Sequence, residues 1–292
     1  MNVDHVRPVR GLAYHVCPRG DSGIGAPDVV LLHGFAGSTR DWEPTSVAVG
    51  RAGLRAIAID LPGHGATAAP ADAARYTMAE TAHDLCELLD GLRIRSAHWI
   101  GYSMGGRLAL YLAAIRPDRV ESLVLESASP GLETAAARAS RRASDEALAT
   151  EIEARGIEWF TEHWGSQPIF DSQRSLPLDQ RAALRERRLR NDPRGLAGSL
   201  RGLGQGAQPW LGERLASVRC PTLLIAGALD PKYVAIAQVM QERMPHARRV
   251  VIPDAGHNVH LEQPEAYERT LLDHLRPFAR VSPLSAPSSL EA

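Results

Sequence analysis

The sequence predicts an α/β protein built on a mostly parallel, doubly wound sheet, with a helical cap inserted after the sixth strand. Three observations carry that expectation. Short, continuously apolar runs recur along the chain, stretches with helical spacing separate them, and the alternation stops between about residues 130 and 215. A strand that is apolar throughout must be covered on both faces, which is the arrangement of a parallel sheet between two helical layers. A chain of 292 residues, 44% of them hydrophobic, suits one large α/β domain with an insertion, or two small domains.

Residues 8–17 read as an antiparallel edge hairpin. The runs 28–33 (Asp28-Val-Val-Leu-Leu-His33), 55–60, 97–102, 121–126, 221–227 and 249–253 read as strands, each bounded by turn signals. Helical spacing marks 38–50, 77–91, 104–116, 234–244 and 264–276. Between 130 and 215 the chain is rich in Ala, Arg and Glu and has helix-like runs but no convincing strand. We therefore expect a sheet core from 1–129 and 216–280, and a cap from 130–215 over the carboxyl ends of the strands, where ligands bind in such sheets. Residues 281–292, rich in Ser and Pro, read as a disordered tail.

Composition narrows the function classes. A formal net charge of -1 gives no reason to expect nucleic acid or a membrane surface as a partner. Cys17, Cys86 and Cys220 are too few and too scattered for a disulfide framework or a metal site. No apolar run has the length of a signal peptide core or a membrane span, so the expectation is a cytoplasmic enzyme, a monomer or weak homo-oligomer acting on a small molecule. No metal or organic cofactor is implied, because neither ligand spacing nor a phosphate-binding glycine loop is present. Of 33 basic residues only Lys232 is a lysine, which nearly closes off Schiff-base chemistry. Any anion site must then rest on arginine or on backbone amides.

The chemistry is concentrated at Gly101-Tyr102-Ser103-Met104-Gly105, which joins a predicted strand to a predicted helix. This Gly-x-Ser-x-Gly turn is so sharp that side chains two residues either side of the serine would collide, and it lifts the hydroxyl clear of the sheet at a helix N-terminus. A serine is nearly inert without a base, and the base needs a third group to fix its tautomer. In chain order the partners should be an acid after a later strand and a histidine after the next. Asp230, in Gly227-Ala-Leu-Asp230, and His257, in Asp254-Ala-Gly-His257-Asn258, meet that demand. Glu126 also ends a strand and is the competing acid, read as a strand-end carboxylate; His260 is read as facing the cap or solvent, and His64 as shaping its loop. Two backbone amides are expected to form an oxyanion hole: Met104, the residue after the serine, and Phe35 in His33-Gly-Phe35-Ala-Gly37.

These motifs resemble the α/β-hydrolase superfamily over roughly residues 10–280. A closer resemblance rests on Leu32-His-Gly-Phe35, Asp60-Leu-Pro-Gly-His-Gly65, Gly101 to Arg107, Glu126 through Pro130-Gly-Leu132, Arg138 to Asp145, Trp164 to Phe170 and Ala255-Gly-His-Asn258. Together they look like the 2-succinyl-6-hydroxy-2,4-cyclohexadiene-1-carboxylate synthase family of menaquinone biosynthesis. The resemblance implies a lyase that removes a proton from its substrate, 2-succinyl-5-enolpyruvyl-6-hydroxy-3-cyclohexene-1-carboxylate, and releases pyruvate, with Ser103 as the base. It also implies that Arg107, Arg141 and Arg188 hold the three carboxylates of that substrate, Arg188 being chosen over Arg185 and Arg187, and that Tyr102 and Trp164 line the pocket. Arg107 lies one helical turn beyond Ser103, on the same face. Two other readings share the elbow: a hydrolase of esters or of carbon–carbon bonds in ring-fission products, and a small-molecule receptor that has lost turnover.

Overall fold

The computed structural model describes residues 5–19 and 26–279; the expected tail at 281–292 lies outside the described residues. Eight strands form one sheet: β1 (His5–Val9), β2 (Leu12–Arg19), β3 (Asp28–Leu32), β4 (Arg55–Ile59), β5 (Ala97–Tyr102), β6 (Val120–Glu126), β7 (Thr222–Gly227) and β8 (Ala247–Ile252), in the spatial order β1-β2-β4-β3-β5-β6-β7-β8. The pairs β1·β2 and β2·β4 are antiparallel and the other five are parallel. The predicted edge hairpin is thus present, longer than its predicted span at both ends.

Alternation along the strands divides the core in two. Val30, Leu32, Ile57, Ile59, Trp99, Leu123 and Leu125 join one apolar cluster, whereas Val29, Leu31, Ala56, Ala58, Ile100 and Val124 join the other. The first is covered by α2 (Met78–Gly91), α3 (Met104–Ile115) and α7 (Pro231–Arg243), the second by α1 (Glu43–Arg51) and α9 (Pro264–Leu275), after the short α8 (Val259–Glu262). Both faces are covered by helices, as the continuous apolarity of the central strands requires.

The chain leaves β3 for β4 on one side, then returns across β3 to β5 and continues to β6 on the other. That reversal opens a crevice at the carboxyl ends of β3 and β5, the position where open α/β sheets bind ligands. Between β6 and β7 every regular element is helical: α4 (Ala135–Gly165), a 3-10 segment Pro168–Ser175, α5 (Leu178–Leu189), α6 (Pro193–Leu203) and a second 3-10 segment Gly212–Ser217. Helix α4 is bent at Gly156, whose φ of 82° breaks the helical ladder. A third apolar cluster (Ala149, Ile152, Phe160, Leu196, Leu200 and Ala36) fixes this cap to the loop after β3. Asn191 adds a polar tie, its Nδ2 donating to Ala36 O at 3.1 Å and its Oδ1 accepting from Gly65 N at 3.1 Å. No helix among the described residues is long and apolar enough to cross a membrane.

Two buried histidines away from the triad set an acid limit. Burial pulls the His64 imidazole down to about 3, and burial with Arg248 and His98 nearby pulls His274 down to about 4. Both are neutral when folded, while the unfolded chain protonates them near pH 6.5. The unfolded state therefore binds more protons below that pH, and stability present above it is lost as pH falls. Each such histidine removes up to about 1.4 kcal/mol per pH unit below the unfolded value. Urea titrations at pH 7.5 and pH 5 should show a lower midpoint at pH 5, and His64→Gln should flatten the difference; an equal midpoint at both pH values contradicts this account.

Candidate active site

Strand β5 is buried along its whole length and delivers Ser103 at its end. Ser103 has φ 49° and ψ -106°, a conformation that strains any non-glycine residue by about 1–3 kcal/mol. Packing enforces it. A side chain at Gly101 would strike the backbone of Gly105 and Gly106, and one at Gly105 would strike the carbonyls of Leu32 and His33. The Ser103 amide donates to Glu126 O at 2.8 Å, so the elbow is tied to β6 while α3 begins at the next residue.

His257 Nε2 lies 3.1 Å from Ser103 Oγ, and His257 Nδ1 lies 2.7 Å from Asp230 Oδ2. The carboxylate holds the proton on Nδ1 and leaves the Nε2 lone pair facing the hydroxyl, the tautomer a proton acceptor needs. Each partner is fixed locally. Asp230 caps α7, its Oδ1 accepting from Tyr233 N at 3.3 Å, with Pro231 at the first helical position. Glu262 accepts from the amides of Gly256 at 2.6 Å and Asn258 at 3.1 Å, straddling His257 and fixing its loop. The rings of Tyr233 and Tyr102 pack on His257 at 4.6 and 5.5 Å and shield it from solvent.

A cavity of about 420 Å³ opens at Ser103, a size suited to a small organic ligand. Phe35 and Met104 both line it. Met104 is the first residue of α3, so its amide has no carbonyl partner within the helix and points to the positive end of the dipole. Tyr102, Trp164 and Phe170 form an aromatic wall running from the sheet to the cap, with Trp164 5.2 Å from Phe35 and 5.6 Å from Phe170.

Arg107 and Arg141 also line the cavity. Arg107 is buried, and its Nη1 donates to Gln208 Oε1 at 3.0 Å, the Gln208 amide being held in turn by Ser129 O. Among the described residues no carboxylate forms an ion pair with it, Asp145 acting on it only from a distance, and burial lowers its guanidinium to about 10. A desolvated cation with only a neutral partner is costly to fold around, and an anionic ligand removes that cost. Arg141 is different: its Nε is bound to Asp145 Oδ1 at 2.7 Å and its Nη1 to Gln205 Oε1 at 2.9 Å.

Arg188 lies beside the Ser103 cavity and does not line it. It is buried, but it lines two smaller cavities behind the aromatic wall, its guanidinium 5.2 Å over the Phe170 ring and 3.5 Å from Gln173 Oε1. One of those cavities is shared with Phe35, Tyr102, Trp164 and Phe170, which also line the Ser103 cavity, so the Arg188 guanidinium stands across the aromatic wall from it. His260 also departs from expectation. It is buried, with Nδ1 2.7 Å from Glu126 Oε2 and its amide donating to Glu126 Oε1 at 3.0 Å. The Glu126 carboxylate is thereby taken up by His260, while Asp230 sits on His257. Trp42 stacks on His260 at 4.4 Å. Sequence reasoning missed Gln208, Tyr233 and Lys232, which hold Arg107 or line the cavity. For the last two a signal existed: Asp230-Pro231 starts a helix, so the next two residues must stand beside the acid.

Comparison with known proteins agrees with this geometry. The family model for the alpha/beta hydrolase fold matches residues 27–264. A putative 2-succinyl-6-hydroxy-2,4-cyclohexadiene-1-carboxylate synthase of Bacillus subtilis (strain 168) is 42% identical over 265 residues, covering 91% of this chain and 95% of that one. The 2-succinyl-6-hydroxy-2,4-cyclohexadiene-1-carboxylate synthase of Salmonella paratyphi C (strain RKS4594) is 36% identical, covering 86% and 95%. The structure of MenH from S. aureus superposes with a TM-score of 0.87 at 33% identity, covering 91% of this chain and 99% of that one. By fold, by the hydrogen-bonded Ser103, His257 and Asp230, and by these relatives, the chain belongs to the 2-succinyl-6-hydroxy-2,4-cyclohexadiene-1-carboxylate synthase family of α/β hydrolases.

Proposed function

We propose that this protein is a carbon–oxygen lyase of menaquinone biosynthesis. It converts 2-succinyl-5-enolpyruvyl-6-hydroxy-3-cyclohexene-1-carboxylate into 2-succinyl-6-hydroxy-2,4-cyclohexadiene-1-carboxylate and pyruvate. The observation that carries this reading is Arg107: a buried guanidinium without a carboxylate partner, one helical turn from Ser103 and in the same cavity. An esterase for neutral substrates has no use for it, whereas a tricarboxylate does.

Ser103 acts as the base. Its Oγ takes the ring proton beside the succinyl carbonyl while its own proton passes to His257 Nε2, 3.1 Å away. The electron pair of the C–H bond moves onto the carbonyl oxygen, where the Phe35 and Met104 amides stabilise the charge. The pair then returns to form the C2=C3 double bond, the existing C3=C4 pair shifts to C4=C5, and the enolpyruvyl C–O bond at C5 breaks. The leaving oxygen takes up the proton held by His257, and the enol so released becomes pyruvate. No acyl-enzyme forms. The geometry that would hold a tetrahedral oxyanion holds an enolate oxygen equally well.

The test supplies the enolpyruvyl substrate freshly made by the enzyme that precedes it and follows its disappearance together with pyruvate. Acceleration well above the spontaneous elimination is the expected outcome. Spontaneous rates throughout, or rapid cleavage of a short aryl ester with a burst of acyl-enzyme, would overturn the assignment.

A further inference from the structure

Three cationic side chains line the cavity, and their commitments differ. Arg107 faces a neutral amide, and Arg141 is neutralised by Asp145 at 2.7 Å. The third is Lys232, the only lysine in the chain. It forms no ion pair among the described residues, its Nζ resting 5.6 Å over the Tyr233 ring. Its place is set by the element that carries the acid: Asp230 caps α7, Pro231 opens it, and Lys232 follows on its first turn. Lys232 and Ile169 line both the catalytic cavity and a surface groove formed by Pro168, Asp171, Ser172 and Leu229, so they stand at the mouth joining the two. The one carboxylate in that groove outside the triad, Asp171, is taken by Arg174 at 2.8 Å.

We infer that Lys232 is a substrate-binding residue: its ammonium takes one carboxylate of the substrate at the cavity mouth. The inference rests on the tricarboxylate reading above. Its physical basis is the number of free positive charges. Arg141 is ion-paired with Asp145 and Arg188 lines the adjoining small cavities, so among the described residues Arg107 is the one arginine of the Ser103 cavity without an ion pair. Lys232 supplies a second free charge, and the α7 N-terminus adds the positive end of its dipole. The chemistry of the position favours an ammonium. At an open mouth the ligand must pass before it docks, and a compact charge on a flexible four-carbon stem follows it, where a planar guanidinium would demand one fixed geometry. Such a charge also raises the capture rate of an anion, an effect that weakens with salt.

The experiment compares the wild type with Lys232→Ala, Lys232→Arg and Lys232→Glu in steady-state turnover of the enolpyruvyl substrate, at low and at physiological ionic strength. KM for Lys232→Ala should rise about tenfold at low salt, a fraction of what a buried charged contact is worth, since the site is exposed. Lys232→Glu should raise it further, Lys232→Arg should recover part of the loss, and kcat should stay within about twofold because Lys232 takes no part in the Ser103–His257 proton transfer. The wild-type KM should climb with salt more steeply than that of Lys232→Ala. An unchanged KM in both Lys232→Ala and Lys232→Glu, or a loss confined to kcat, overturns the assignment. Absence of turnover in the wild type sinks the lyase reading itself, so the two failures are distinct.

Discussion

Ser103→Ala is expected to lower kcat by about 10²–10⁴-fold while leaving KM within a few-fold of the wild type. That range is what a positioned general base contributes, and the substitution removes the base without touching the cations that hold the substrate. His257 remains 2.7 Å from Asp230, but it has lost the hydroxyl that carries its basicity to carbon. Because Ser103 and His257 move one proton together, the double variant Ser103→Ala/His257→Ala should be little worse than either single one. Stability should hold or rise slightly: alanine is one oxygen smaller, and the strained φ of 49° persists in either residue because the packing at Gly101 and Gly105 imposes it. Single-turnover kinetics with quenched-flow detection of pyruvate check the rate, and intact-mass measurement during turnover checks that no adduct of Ser103 accumulates in the wild type. Retained activity in Ser103→Ala would transfer the role of base to another group; an acyl adduct on the wild type would make Ser103 a nucleophile.

The triad was legible because it obeys local rules. An elbow must have glycines where side chains would collide, and strand ends must carry the acid and the histidine, so spacing alone finds Ser103, Asp230 and His257. The sheet was legible for a similar reason, since continuous apolar runs demand cover on both faces. What escaped depends on the rotation and tilt of whole elements. The run Arg181 to Arg190 carries five arginines, and only packing of the cap decides that Arg188 sets its guanidinium over Phe170. His260 escaped because the one-turn helix α8 folds the chain back onto β6, burying a histidine that a linear reading leaves outside. Lys232 stands out in the composition as a lone lysine, but only the start of α7 puts its charge at the cavity mouth.

Arg107→Met should separate stability from function. The substitution keeps a long side chain of similar reach and removes a charge that the folded protein buries beside a neutral amide. Substrate affinity should fall: a charge-assisted hydrogen bond to a carboxylate in a desolvated site is worth about 1.5–3 kcal/mol, a rise in KM of about 10- to 150-fold. Thermodynamic stability should move the other way. Taking an uncompensated cation out of the interior relieves a desolvation cost, offset by leaving Gln208 Oε1 without its donor at about 1–3 kcal/mol. The double variant Arg107→Met/Gln208→Leu removes both polar partners and should be the more stable of the two, as replacement of a buried polar pair by apolar groups of matching shape often is. Arg107→Lys should not rescue activity, because a shorter-headed point charge cannot offer the two-point fork that a carboxylate meets in arginine. Urea denaturation and KM measured on the same preparations decide the matter. If Arg107→Met were destabilised and still bound substrate normally, Arg107 would be part of the scaffold, and the lyase reading would lose the observation on which it rests. If it is stabilised and its KM is raised, the buried charge is held at a cost to folding because the substrate is an anion.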